Sequence, residues 1–251
     1  MRRPWAAAIF PGQVLKEGTT IAPTTSYSAS ELETLRGILA KGMESAASVL
    51  SDMIGRKIEM SVPDVCFVVR EDISRVAKHS VEEPTIGVRI GLTGDVTGDV
   101  ILIFPRPSAY RLVDILMGNE PGTTTSLTEM GGSALCEVGN LAGSFFLNSL
   151  AEATGLRAMP APPVLDGETL VSKMLEASVA TRDASAGASE SSGSGSGPGQ
   201  TGGRDALVAQ TVLTQSLESV EALFFIVPTN NSLATILNAL SSGNAKGSGV
   251  I

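Results

Sequence analysis

The order helix, strand, hairpin, helix can be read twice along this chain, and a duplicated order of that kind leaves few folds open. In the first half, Ser28 or Ser30 caps a helix predicted over about residues 31–54, with Glu31 and Glu33 in its first turn and Gly55-Arg56-Lys57 at its end. The run IEMSVPDVCFVV that follows reads as a strand pair, or as one strand bent at Pro63. A short helix or loop is expected around 71–79. A hairpin comes next, 85–93 with 96–104, its turn chemistry supplied by Gly94-Asp95 and Gly98-Asp99. Arg106-Pro107-Ser108 opens a helix over about 108–117, closed by Gly118-Asn119.

The second half repeats the order: a helix over 127–154 ending near Gly155, a strand over 159–165 bent at Pro162-Pro163, a helix or irregular segment over 168–179, a hairpin of 207–214 with 218–227, and a helix after Pro228 at about 232–240. Two landmarks measure the repeat. Pro63 matches Pro163 at an offset of 100, and Pro105 matches Pro228 at an offset of 123. Removing the 22-residue low-complexity run 183–204, which lies between those landmarks and reads as a solvated, flexible insertion, makes the halves nearly equal against the 23-residue difference. Its glycines do not make a phosphate loop, because the Gly-Lys-Ser/Thr ending is missing and no strand-to-helix junction surrounds it. The reading is an α/β (α+β) fold: one pseudo-two-fold domain over 30–240, built of repeats at about 30–120 and 126–240, with the long helices covering a shared sheet. Residues 1–29 are expected to be a flexible leader and 241–251 a flexible tail.

Composition excludes several function classes. With 251 residues and 43% apolar content the chain can bury a sizeable core, and its net charge of −8 argues against nucleic acid and against an anionic membrane surface. No apolar run approaches the ~18 residues of a membrane span, and Pro11-Gly12 interrupts an apolar start too short for a signal peptide. A cytoplasmic location is the expectation. Cys66 and Cys136 do not make a disulfide framework, and Cys136 reads as a small core residue. The one histidine, His79, offers neither a His-based metal site nor a Ser-His-Asp triad. Asp95 and Asp99 resemble a calcium loop only in part and are read as turn residues.

The chemistry concentrates on the second long helix. Leu135, Val138, Ala142 and Phe145, with the small residues Ser149 and Ala153, form its expected buried face. Ser133, Glu137 and Asn140, at steps of four and three, share another stripe. Gly139 and Gly143 each cost the helix ~1 kcal/mol relative to Ala, and the expectation is that they let another surface come close to that carboxylate and carboxamide.

The pattern Ser133-x3-Glu137-x2-Asn140-x22-Pro163 resembles the signature of the CheC/CheX/FliY family, in which Asp or Ser, Glu, Asn and Pro stand at the same spacing. The resemblance covers about residues 30–240. It implies a CheC-like fold, two long helices packed on a continuous, mostly antiparallel sheet, and a phosphatase acting on a phosphorylated CheY-like response regulator. Carried onto this chain, Asn140 would position the attacking water in the regulator's active site and Glu137 would contact the regulator's lysine. Ser133 would support them, and Pro163 would set the exit from helix to strand. The Mg²⁺ would be carried by the regulator, with no cofactor or metal held by this chain. Anchored at Pro63, the same signature falls on Glu33, Gly37 and Ala40, so the first site is degenerate: glycine cannot make an ion pair and alanine cannot orient a water. The rival implication is a non-catalytic adaptor, either a partner of the CheD deamidase or a component like those of the flagellar switch. A monomer is expected, since the duplication already supplies the two-fold arrangement.

Overall fold

The computed structural model describes residues 28–60, 64–69, 84–169, 205–215 and 218–247. The leader to residue 27, Pro63, the segment 70–83 with His79, residues 170–179, the run 183–204 and the last four residues lie outside the described residues.

Two helices of 26 residues dominate, α1 (Ala29–Ile54) and α3 (Glu129–Thr154), and both their ends are 100 positions apart. Local chemistry sets those ends. Ser28 makes a capping box with Glu31, its hydroxyl accepting from the Glu31 N–H while the Glu31 carboxylate accepts from the Ser28 N–H. The Thr128 hydroxyl accepts from the Gly131 N–H at 3.1 Å. Both helices stop at a glycine in the left-handed region, Gly55 (φ 65°) and Gly155 (φ 75°), where a side chain would be strained. Their buried positions also match at the same offset: Leu35 with Leu135, Ile38 with Val138, Leu50 with Leu150.

The strands are β1 (Glu59–Met60), β2 (Asp64–Val69), β3 (Thr85–Gly94), β4 (Gly98–Pro105), β5 (Ala158–Pro160), β6 (Val164–Thr169), β7 (Asp205–Gln215) and β8 (Glu218–Pro228). The shorter helices α2 (Arg106–Met117) and α4 (Asn230–Gly247) each follow a hairpin. All eight strands join one antiparallel sheet in the order β1-β7-β8-β4-β3-β5, with β2 also on β7 and β6 also on β3. The halves are therefore interlocked. The first half lends β1 and β2 to β7, the second half lends β5 and β6 to β3, and β4 pairs with β8 at the centre.

Side chains alternate across the sheet. Val88, Ile90, Val100, Leu102, Phe104, Phe224 and Ile226 face the helices and form one core with Leu39 and Met43 of α1, Leu112 of α2, Phe146 of α3 and Leu237 of α4. Ile101, Ile103, Leu223 and Phe225 point to the other face and are also buried. Phe146 meets Phe224 edge-on, ring centroids 5.7 Å apart, a geometry worth roughly 0.5–1.5 kcal/mol beyond area burial.

Two elements differ from the sequence reading. The strand expected over 159–165 is two strands, because Pro162 and Pro163 have no N–H to donate to a ladder; Ala161 keeps one bond to the Gly91 carbonyl (2.8 Å) before the chain rejoins β3 at Val164. The last helix does not stop at Leu240 but runs to Gly247: no proline interrupts its ladder, and the Ser241 hydroxyl bonds back to the Leu237 carbonyl at 3.0 Å.

The loop that delivers the chain to α3 is organised by Asp114 of α2, only 2% exposed. One carboxylate oxygen accepts from the Thr124 hydroxyl (2.6 Å) and the Thr124 N–H (2.9 Å), the other from the Gly122 N–H (2.8 Å). Burial pushes its pKa up, but the Thr124 hydroxyl and the backbone N–H groups of Gly122, Thr124 and Thr123 outweigh it and hold the carboxyl below its ordinary value of 3.8. A depressed folded pKa contributes stability that is complete above the unfolded value and is lost as pH falls through the folded one. Asp114→Asn should therefore cost about 1–3 kcal/mol at pH 7, measured by urea unfolding, and the gap to wild type should narrow as the pH is lowered below about 4.

Candidate functional site

Helix α3 lies flush on strand β3. A Cβ added at Gly139 would stand 2.6 Å from Val88 Cγ1, one at Gly143 would stand 3.1 Å from Ile90 Cδ1, and one at Gly132 would stand 2.7 Å from Leu165 Cδ2 of β6. The small residues beside the Glu–Asn pair thus serve an approach by the chain's own sheet, where the sequence reading expected an outside surface. Glycine is needed at 139, where the facing Val88 is branched next to its backbone and fully buried. Leu135, Val138, Ala142 and Ser149 are buried as expected, but Phe146 rather than Phe145 fills the core, and Ala153 is exposed.

With that face on the sheet, the opposite stripe points outward. Ser133 and Glu137 are exposed and Asn140 is half-buried, all on one side of a capped, well-packed helix. The Ser133 hydroxyl donates to the Glu129 carbonyl at 3.0 Å, so it is bound to its own helix, and the cap is Thr128. Among the described residues, neither Glu137 nor Asn140 makes a side-chain hydrogen bond or ion pair. Their polar atoms are thus presented to whatever approaches the helix. Cys136, beside them, is half-buried, and burial pushes its thiol pKa up, away from thiolate reactivity. Pro163 stands between β5 and β6, two residues before the Leu165 that abuts Gly132. It lies outside α3 and so is not on the stripe.

The first half repeats the frame without the chemistry. On α1, Glu33 and Gly37 are exposed and Ala40 is half-buried, matching Ser133, Glu137 and Asn140 position by position. Glu33 pairs with Arg36 of its own helix at 3.5 Å. A Cβ at Gly37 would meet nothing within 4 Å, so no packing reason requires glycine there. The two long helices touch where a Cβ at Gly42 would lie 2.9 Å from the Phe146 backbone, and Lys41 of α1 pairs with Glu152 of α3. Sequence reasoning missed Asp114. A buried aspartate followed by Gly122 and Thr124 has no helical or strand period to betray it, and the turn residues of 118–124 were its only sign. Among the described residues no group of three His, Cys, Asp or Glu could hold a metal ion, and no helix is long and apolar enough to cross a membrane.

No protein-family model matches the chain. In sequence it is 28% identical over 135 residues to the CheY-P phosphatase CheC of Bacillus subtilis, covering 53% of this chain and 64% of that one. The chain thus spans less than two thirds of the length of that relative. It is 24% identical over 156 residues to a protein named CheC1 of Halobacterium salinarum, covering 61% of this chain and 78% of the other. The crystal structure of Thermotoga maritima FliY superposes with a TM-score of 0.64 over 87% of this chain and 100% of that one, at 18% identity, which shows the shared fold.

The two glycines in the frame have opposite expected responses to the same change. Gly139→Ala must push α3 off Val88 and should cost about 1–3 kcal/mol, whereas Gly37→Ala, exposed and unobstructed, should gain up to about 1 kcal/mol from helix propensity. Chemical denaturation of the two variants beside wild type measures both.

Proposed function

We propose that this chain, which belongs to the CheC/CheX/FliY family, hydrolyses the aspartyl-phosphate of a CheY-like response regulator. The observation that carries the proposal is the pair Glu137 and Asn140, one turn apart on an outward stripe, without partners among the described residues, on a helix held flush to the sheet. The phosphoryl group and its Mg²⁺ arrive with the regulator, and this chain adds no metal or cofactor.

Little covalent chemistry is asked of the helper. The oxygen of a water attacks phosphorus, the bond from phosphorus to the regulator's carboxylate oxygen breaks, and the aspartate leaves as a carboxylate while phosphate carries away the water's oxygen. Positioning that water in line is the main task. The Asn140 carboxamide suits it, accepting from the water through its oxygen, donating through its nitrogen, and bringing no charge to repel the phosphoryl oxygens. Glu137, one turn earlier, fits a lysine on the regulator, and that pair would fix the register of α3 against the regulator's pocket. Ser133, tied to its own backbone, shapes the stripe without entering the chemistry. The Gly37 and Ala40 positions of α1 supply neither group, so one live site is proposed, in the second half.

The test is phosphate release from a Mg²⁺-bound, phosphorylated regulator. Wild type should accelerate it, Asn140→Ala should lose the acceleration by on the order of a hundredfold, and Glu137→Ala should weaken association by about tenfold. Undiminished acceleration by Asn140→Ala would sink the assignment. Binding without acceleration by wild type would leave the non-catalytic reading in its place.

A further inference from the structure

Met130 is 69% exposed in the first turn of α3. It stands seven residues before Glu137, two turns along the helix and about 20° away around its axis, and three before Ser133. It therefore heads the stripe that ends at Asn140.

The repeat provides an internal control for what the fold needs at that place. One hundred positions earlier α1 carries Ser30, also exposed, in a helix of the same length with the same kind of cap. The core positions of the two helices stay apolar together, Leu35 with Leu135 and Leu50 with Leu150. A methionine at 130 thus does nothing for folding that a serine does not do at 30. The difference follows the motif: the helix with Glu137 and Asn140 has the methionine, and the helix with Gly37 and Ala40 has the serine. An unbranched, polarisable thioether is suited to an adaptable contact. Exposed acids on either side, Glu129 and Glu137, complement a partner surface with a basic residue beside an apolar one. Met159, 64% exposed, is not part of this surface. It pairs with Thr93, the neighbour of the core residue Leu92, so it faces away from the helices.

We infer that Met130 is a docking contact, an apolar side chain that seats against the phosphorylated regulator next to the site of Glu137 and Asn140 and sets how tightly the two proteins associate. The inference rests on the function proposed above. Met130 touches no reacting atom, so its removal acts on association and leaves turnover alone.

The experiment compares wild type with Met130→Ser, Met130→Leu and Met159→Ser, each by phosphate release as a function of regulator concentration and by equilibrium binding to the beryllofluoride-loaded regulator. Met130→Ser, which copies the residue α1 already tolerates, should raise KM and Kd about fivefold or more with kcat within about twofold. Met130→Leu should restore association, and Met159→Ser should behave as wild type. An unchanged KM and Kd in Met130→Ser overturns the inference, as does a loss confined to kcat or an equal loss in Met159→Ser. If wild type binds the regulator without accelerating hydrolysis, the phosphatase reading fails alone and the Kd values decide the role of Met130. If wild type neither binds nor accelerates, both fail.

Discussion

Gly139 lies so near Val88 that no Cβ fits between them, and that contact sets the height of α3 over the sheet. Glycines at 139 and 143 weaken the helix as an isolated object, each by ~1 kcal/mol relative to Ala, so α3 owes its order to what it lies on. Leu135, Val138, Phe146 and Leu150 anchor it from the same side. The outward stripe inherits its position from that seat. The water-placing role proposed for Asn140 calls for a backbone that does not rock, and close packing against a strand paired on both sides provides one.

The two halves solve the same packing problem with the bulk in different places. Where α3 has Gly139 and Gly143, α1 has the buried Leu39 and Met43. Against α3 the space is taken by Val88 and Ile90 of β3, whereas α1 carries its own buried side chains at the matching positions. Redistributing bulk within an interface is a change that cores tolerate. It leaves both long helices in place and lets their outer faces diverge.

Much of this was legible in the amino acids. Ser28 with Glu31, Thr128, Gly55 and Gly155 mark helix ends through local hydrogen bonding and left-handed backbone, and such signals do not depend on the rest of the fold. Pro105 and Pro228 each end a strand that leads into a helix, and the spacing of Ser133, Glu137 and Asn140 marks one face of one helix. What stayed hidden depends on tertiary placement. Two adjacent phenylalanines differ by 100° around a helix, and only the sheet decides that Phe146 meets Phe224 while Phe145 stays half out. A glycine pair in a helix says that something comes close but not from which side. Asp114 reads as a polar residue near a helix end until the loop folds back onto it.

The exchange of strands between the halves also bears on synthesis from the N-terminus. The partners of β1 and β2 are residues 205–214 of β7, so Glu59 waits for Thr214. Until the ribosome has released that segment, the early strands carry backbone groups with no ladder to join, and β3 likewise waits for β5 and β6. Such pairings are slow to form, and open strand edges invite foreign pairing meanwhile. A nascent chain of this design remains vulnerable until β7 has emerged.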